Sequence, residues 1–212
     1  MRYLVALAHF AASAGAVAAT PPPTQPFESI DSPPTLVRKA TAGVYLGGLR
    51  ILFEKTTLSQ VRRAASVGAI AFHGDGAEAE SWLCYTSHRR GLTERIWIIS
   101  DAEMGTDRQL VTGVTAQIQS DSRVSGDCPA LPAALQPLTL DRGVRLGISD
   151  RDLQGKLGAP SHLDGKWRYF EFQARVPGDG KCEGGYDLLN TLQTSSTNEH
   201  VTTLYAEQVT SC

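Results

Sequence analysis

The chain has 212 residues, 42% of them hydrophobic and 20% charged, with a formal net charge of −2. These values predict a folded core, and no run of about eighteen apolar residues follows the N-terminal region, so we expect no membrane-spanning helix. The basic residues form no cluster longer than Arg62-Arg63 or His88-Arg89-Arg90. A nucleic-acid partner is therefore not expected, because binding to phosphates requires a basic stripe.

Residues 1–19 have the three parts of a secretory signal peptide. Arg2 supplies a positive charge, residues 4–17 are apolar or small, and Val17-Ala18-Ala19 is a small-residue exit. We expect cleavage after Ala18 or Ala19, with Ala19 preferred. Loss of Arg2 leaves 19 basic and 22 acidic residues, a net charge of −3. No cysteine follows the exit, so the sequence predicts an unlipidated protein that is periplasmic or secreted.

Residues 20–39 are rich in proline. The run TPPPTQPFESIDSPPT, residues 20–35, contains six prolines and no apolar periodicity. Proline fixes φ and provides no backbone N–H donor, so this composition predicts an extended tether.

The remainder contains an internal repeat, which predicts two diverged units at 40–128 and 138–212, joined by a linker at 129–137. Four short matches occur in the same order in both units. They pair GLRI (48–51) with GVRL (143–146), TxxQVxxxA (57–65) with SxxDLxxxL (149–157), WxxY (82–85) with WxxF (167–170), and VTxVxAQ (111–117) with VTxLxAE (201–207).

Each unit is predicted to begin with a short helix followed by strands. Thr57 and Ser149 are N-cap residues, and Thr57 with Gln60 fits a capping box. Strand-like runs follow at 81–86, 95–100 and 110–119, and again at 167–174, 186–194 and 201–209. The expected fold class is α+β, with each unit a short helical segment packed on an antiparallel three- to four-stranded sheet.

The four cysteines, Cys84, Cys128, Cys182 and Cys212, predict two disulfides in an oxidising compartment, and the sequence alone permits three pairings. Because Cys128 and Cys212 each close the last strand region of one unit, the repeat favours Cys84–Cys128 and Cys182–Cys212. A metal site requires more closely spaced ligands, so none is expected.

The second unit carries a family resemblance. Its run Ser149-x-x-Asp152-Leu153-x-x-x-Leu157-Gly158-Ala159-Pro160, followed by Gly165 to Phe170, resembles the outer-membrane-assembly lipoproteins of the SmpA/OmlA type. Two such units in tandem are similar to the secreted β-lactamase inhibitory proteins. The resemblance implies a short helical segment on an antiparallel sheet, and a sheet surface that grips another protein.

No catalytic template is evident, so we expect neither an enzyme nor a cofactor. The sequence contains no Gly-x-Ser-x-Gly, Ser-x-x-Lys, His-Glu-x-x-His or phosphate-binding glycine loop. His73 with Asp75, and Asp101 with Glu103, are candidates for an acid/base or cation site, but their glycine-rich surroundings favour solvated turns.

Alternation along the strands predicts a partner-binding face. If Ile96, Ile98, Val114, Ala116, Leu204 and Ala206 point to the core, the intervening residues point outward. Large outward aromatics indicate a binding surface. The predicted partner-binding residues are Arg95, Trp97, Thr115, Gln117, Tyr169, Tyr205 and Glu207.

These features favour an exported protein-binding module of inhibitor or immunity type, gripping an extracytoplasmic protein partner. An envelope-assembly accessory is the alternative, based on the second-unit motif and the tether. A hydrolase with a dispersed active site is the second alternative, because triads whose members meet only in the fold are invisible to motif searches.

Overall fold

The computed structural model describes residues 20–27, 33–76, 79–89, 91–101, 108–120, 125, 127–178, 182 and 184–212. Within these residues the chain forms two helices and eleven strands, so the α+β class is confirmed. The helices are α1 (Leu58–Ala65) and α2 (Asp150–Leu157). The strands are β1 (Gly43–Leu46), β2 (Leu49–Leu52), β3 (Ala71–His73), β4 (Glu80–Arg89), β5 (Leu92–Asp101), β6 (Gly113–Gln119), β7 (Leu138–Leu140), β8 (His162–Asp164), β9 (Trp167–Val176), β10 (Tyr186–Thr197) and β11 (His200–Ser211).

Both helices begin at the predicted N-caps. The Thr57 hydroxyl accepts a hydrogen bond from the Gln60 backbone N–H. The Gln60 side-chain oxygen accepts one from the Thr57 backbone N–H, which completes the capping box. The Ser149 hydroxyl accepts from the Asp152 N–H. Each helix buries its apolar stripe, with Leu58, Val61 and Ala65 in α1 and Leu153 and Leu157 in α2. The helices are therefore anchored to the core by the residues that the spacing predicts.

The main sheet has eight strands in the order β3-β4-β5-β6-β11-β10-β9-β8, and every neighbouring pair is antiparallel. Three to four strands are predicted for each unit, and in the structure the eight strands form one continuous sheet. The junction is the pairing of β6 with β11, which aligns Gln117 with Thr203 and Gly113 with Glu207. The edge strands β3 and β8, each three residues long, were not predicted.

A second, three-stranded sheet in the order β2-β1-β7 was also not predicted. Its strands have only three or four residues, too few for a clear alternation. Gly47 in the β1–β2 turn has φ 54°, and a Cβ there would lie 2.2 Å from the Ala134 carbonyl oxygen. This position therefore requires glycine.

The hydrophobic core lies on one face of the main sheet, which we call the inner face. Side chains of β4, β5, β6, β9, β10 and β11 pack there against α1, α2 and the small sheet. Leu83, Ile96, Ile98 and Leu204 are fully buried in this layer. The opposite face of the sheet, the outer face, carries the alternate residues of the same strands.

Irregular segments cover the long strands next to the sheet edges. The Thr86 N–H of β4 donates to the Pro129 carbonyl (2.9 Å), and the Thr86 carbonyl accepts from the Leu131 N–H (2.8 Å). On β9, the Glu171 carbonyl accepts from the Leu36 N–H (3.0 Å) and the Tyr169 carbonyl from the Ser161 N–H (2.7 Å). At these positions of β4 and β9, the backbone groups are thus hydrogen-bonded within the chain.

The central strand β5 provides a test of the inner-face assignment. Replacing Ile98, which is 0% exposed, by Ala should lower the free energy of unfolding by about 3 kcal/mol, because it leaves a cavity in the core. The matched control Leu163→Ala, at a position that is 62% exposed, should change it by less than about 0.5 kcal/mol. Urea unfolding of the oxidised protein measures both values, and equal losses would contradict the assignment.

Candidate binding face of the sheet

The outer face carries all seven predicted partner-binding residues. Four of them lie with Gln193 in one transverse row of the sheet: Trp97, Thr115, Tyr205 and Tyr169. Trp97 pairs with Thr115, and Thr115 pairs with Tyr205. Gln193 lies between Tyr205 and Tyr169 and pairs with both. Arg95 and Gln117 are paired in the neighbouring row on one side of it, and Glu207 lies in the neighbouring row on the other side. The alternation therefore assigns these residues to one face.

Their exposure differs from the sequence-based expectation. Trp97, Thr115, Tyr169 and Tyr205 are only 2–4% exposed, whereas the alternation predicts that they point into solvent. They are buried because residues 20–27, from the predicted proline-rich tether, lie across the outer face. The aromatic residues are correctly assigned to this face, but their predicted exposure is wrong.

Thr20 is held at the β4–β5 end of the row. Its carbonyl oxygen accepts hydrogen bonds from the indole N–H of Trp82 and from that of Trp97, both at 3.0 Å. Its backbone nitrogen lies 3.0 Å from Asp127 Oδ2, which also accepts from the Thr20 hydroxyl. Three side chains thus contact the backbone or hydroxyl of one residue.

The other end of the segment is held by β10 and β9. Gln193 Nε2 donates to the Phe27 carbonyl (2.8 Å), and Gln193 Oε1 accepts from the Phe27 N–H (3.3 Å). The Phe27 ring packs edge-on against His162 and Tyr169, with centroids 5.6 and 6.0 Å apart. Between the two ends, the Tyr205 hydroxyl donates to the Thr24 carbonyl at 3.3 Å.

The chemistry of the segment matches that of the face. Pro21 to Pro23 have no backbone N–H, so this stretch presents carbonyl acceptors and almost no donors. The face supplies donors from indole, phenol and amide groups. A proline helix rises about 3.1 Å per residue, or about 22 Å from Thr20 to Phe27, and four strand spacings amount to about 19 Å. The segment therefore has the length needed to span the sheet from β4–β5 to β9–β10.

A cavity of about 780 Å³ remains between the segment and the sheet. Thr115, Tyr169 and Glu207 line it, together with residues of the segment and of β4, β5, β9 and β10. Its lining includes the carboxylates of Glu80, Asp101, Glu171 and Glu207, and none of the described residues that line it is basic. The cavity is therefore acidic.

Burial shifts the ionisation of groups at this cavity. Desolvation, followed by the negative charges of Asp101 and Glu207, raises the pKa of Glu80 to about 7. Desolvation raises the pKa of Tyr169 well above its usual value, and the hydrogen bond from its hydroxyl to Glu171, 2.5 Å long, acts in the same direction. The cavity therefore favours protonated groups, and an incoming cation would relieve the charge repulsion at Glu80.

Arg95 and Gln117 are half-buried beside the aromatic row. The Nε atom of Arg95 is buried and has no hydrogen-bond partner among the described residues. A buried guanidinium nitrogen without a partner is unusual in native proteins, because desolvating it is costly.

The disulfides join Cys84 to Cys128 and Cys182 to Cys212, the two pairs that the repeat favours. Cys84 and Cys128 are buried on the outer face in a small apolar cluster with Trp82 and Trp97. This bond therefore ties the segment around residue 128 to the two tryptophans that bind Thr20.

The remaining candidate residues lie at strand ends or in turns, or outside the described residues. His73 ends the edge strand β3, and Asp101 ends β5, whereas Glu103 and residues 1–19 lie outside the described residues. No group of three or more His, Cys, Asp or Glu side chains in the described part of the chain could hold a metal ion.

The helices that the structure describes are all too short to cross a bilayer. Comparison with protein-family models, with curated proteins and with solved structures finds no match for this chain.

Glu80 provides a test of the electrostatics of the cavity. The pKa of Glu80 is about 7 in the folded state and near 4.5 in the unfolded state. Its favourable contribution to the free energy of unfolding is therefore complete below pH 4.5 and is lost as the pH rises through 7. Glu80→Gln should therefore be more stable than the wild type at pH 8, by on the order of 1 kcal/mol because solvent screens this partly exposed group.

Urea unfolding of the two proteins between pH 4 and pH 8 measures this difference, which should shrink to zero at the acid end. Glu199→Gln, which removes the same type of side chain from an exposed turn, is the matched control. A constant difference between Glu80→Gln and the wild type across the range would contradict the raised pKa.

Proposed function

We propose that this chain is an exported protein-binding module of inhibitor or immunity type, which grips an extracytoplasmic protein partner with the outer face of its sheet. The observation that carries the proposal is the contact between this face and residues 20–27. Trp82, Trp97, Gln193 and Tyr205 hold that segment largely through its backbone atoms. A face that binds one extended polypeptide in this way has the chemistry needed to bind another.

We also propose that the face is built from two diverged units, 40–128 and 138–212. A helix followed by four antiparallel strands occurs in each, as α1 with β3 to β6 and α2 with β8 to β11. The strand order is mirrored about the β6–β11 junction. Two disulfides are compatible with an oxidising compartment outside the cytoplasm.

The partner would contact the face on both sides of residues 20–27. On one side, the half-buried side chains of Arg95 and Gln117 are paired across β5 and β6. On the other side, the acidic cavity favours a Lys or Arg side chain from the partner, because a cation there would be desolvated next to several carboxylates. The proposed binding surface therefore has a basic part at Arg95 and an acidic part at the cavity.

Affinity capture tests this proposal. The tagged, oxidised protein is exposed to envelope and culture-medium fractions of the source organism, and captured proteins are identified by mass spectrometry. We expect one stoichiometric enzyme or toxin. Capture of barrel-assembly components would instead favour the envelope-assembly alternative.

Variants then locate the binding surface. Arg95→Ala should weaken the captured partner's affinity at least tenfold, equivalent to about 1.4 kcal/mol. Arg63→Ala removes the same type of side chain from an exposed position on α1 and should leave affinity unchanged. Titration calorimetry measures both. If Arg95→Ala binds as tightly as Arg63→Ala, the outer face is not the binding surface.

A further inference from the structure

The contacts at Thr20 differ from those along the rest of the segment. Asp127 Oδ2 accepts from both the backbone nitrogen and the hydroxyl of Thr20, and the two indole N–H groups converge on its carbonyl oxygen. The backbone nitrogen, the side chain and the carbonyl of one residue are thus all bound. Thr20 is also the residue that directly follows Ala19, the preferred end of the predicted signal peptide.

Cleavage after Ala19 would change the chemistry of the Thr20 nitrogen. In the uncleaved chain it is a peptide amide with one neutral N–H, and in the cleaved chain it is a terminal ammonium. We propose that Asp127, Trp82 and Trp97 form a binding site for the free amino terminus of a polypeptide, occupied in the exported protein by its own Thr20. This site does not depend on whether the sheet binds a partner.

The surroundings of Asp127 suit this role. The nearby Ser125 side chain and the hydrogen bond from the Thr20 hydroxyl lower the pKa of Asp127 to about 2, so the carboxylate is charged at every physiological pH. The next residue, Cys128, is 0% exposed and is bonded to Cys84 within the cluster that contains both tryptophans. The carboxylate and the two indole donors are thereby held in fixed relation to one another.

The ammonium group adds an ion pair with the Asp127 carboxylate, which the neutral amide of the uncleaved chain cannot form. Signal removal would therefore fasten residues 20–27 across the outer face and bury Trp97 and Tyr205. The exported protein would have a closed aromatic row, whereas the precursor would hold the same segment more weakly. Export processing would thus set which surface the sheet presents.

The experiment measures the reactivity of the terminal amine. The full chain is exported with its own leader, the oxidised protein is recovered, and its N-terminal residue is identified by mass spectrometry. The rate at which a small activated ester acylates the α-amine is then followed at pH 8 by peptide mapping, which separates the terminal peptide from lysine-containing peptides.

We expect the protein to begin at Thr20 and its amine to react at least tenfold more slowly than the amine of Asp127→Asn, because a nearby carboxylate raises the pKa of an ammonium. Asp164→Asn, which neutralises an exposed carboxylate on β8, should react at the wild-type rate.

Inserting Gly-Gly before Thr20 should make the amine as reactive as in Asp127→Asn, and adding Asp127→Asn to that insertion should have no further effect. This insertion keeps the test decisive if Asp127→Asn itself folds poorly. An exported protein that begins at another residue, or equal rates for the wild type and Asp127→Asn, would overturn the proposal.

Discussion

The pairing of β6 with β11 is the interaction on which the rest of the structure depends. Five residue pairs, from Thr203–Gln117 to Glu207–Gly113, join the two halves of the chain in one sheet. Through this junction Trp97 on β5 and Gln193 on β10 belong to the same transverse row, although 96 residues separate them in the sequence. The outer face, its cavity and the path of residues 20–27 all require this single continuous surface.

The parts of the fold that could be predicted are those governed by local rules. The capping residues Thr57 and Ser149 mark where the helices begin, and strict alternation places Trp97 and Tyr205 on the face opposite the core. The burial of these aromatics depends on Thr20 and its neighbours, more than sixty residues away, in a segment without periodicity. Three-residue strands such as β3 and β8 are likewise too short to leave a pattern.

Two residues of the site that the sequence pattern did not identify, Trp82 and Gln193, lie in the same rows as residues that it did identify. Trp82, Gln193 and Glu80 contribute to the outer face, and extending the alternation from Trp97 across each neighbouring strand would have found the first two. Asp127 could not be found in this way, because it lies outside the strands and reaches the face only through the Cys84–Cys128 bond beside it. Its position is a consequence of tertiary structure alone.

The covered edges of the sheet limit how it can associate with other chains. An exposed strand edge is a template for intermolecular pairing and for aggregation. Here Thr86 donates to Pro129 and accepts from Leu131, and Glu171 accepts from Leu36, so these bonds occupy backbone groups that another strand would need. Proline at position 129 also cannot extend the ladder, because it has no N–H to offer. The architecture thus leaves side chains on the outer face, rather than these stretches of β4 and β9, available for association with other chains.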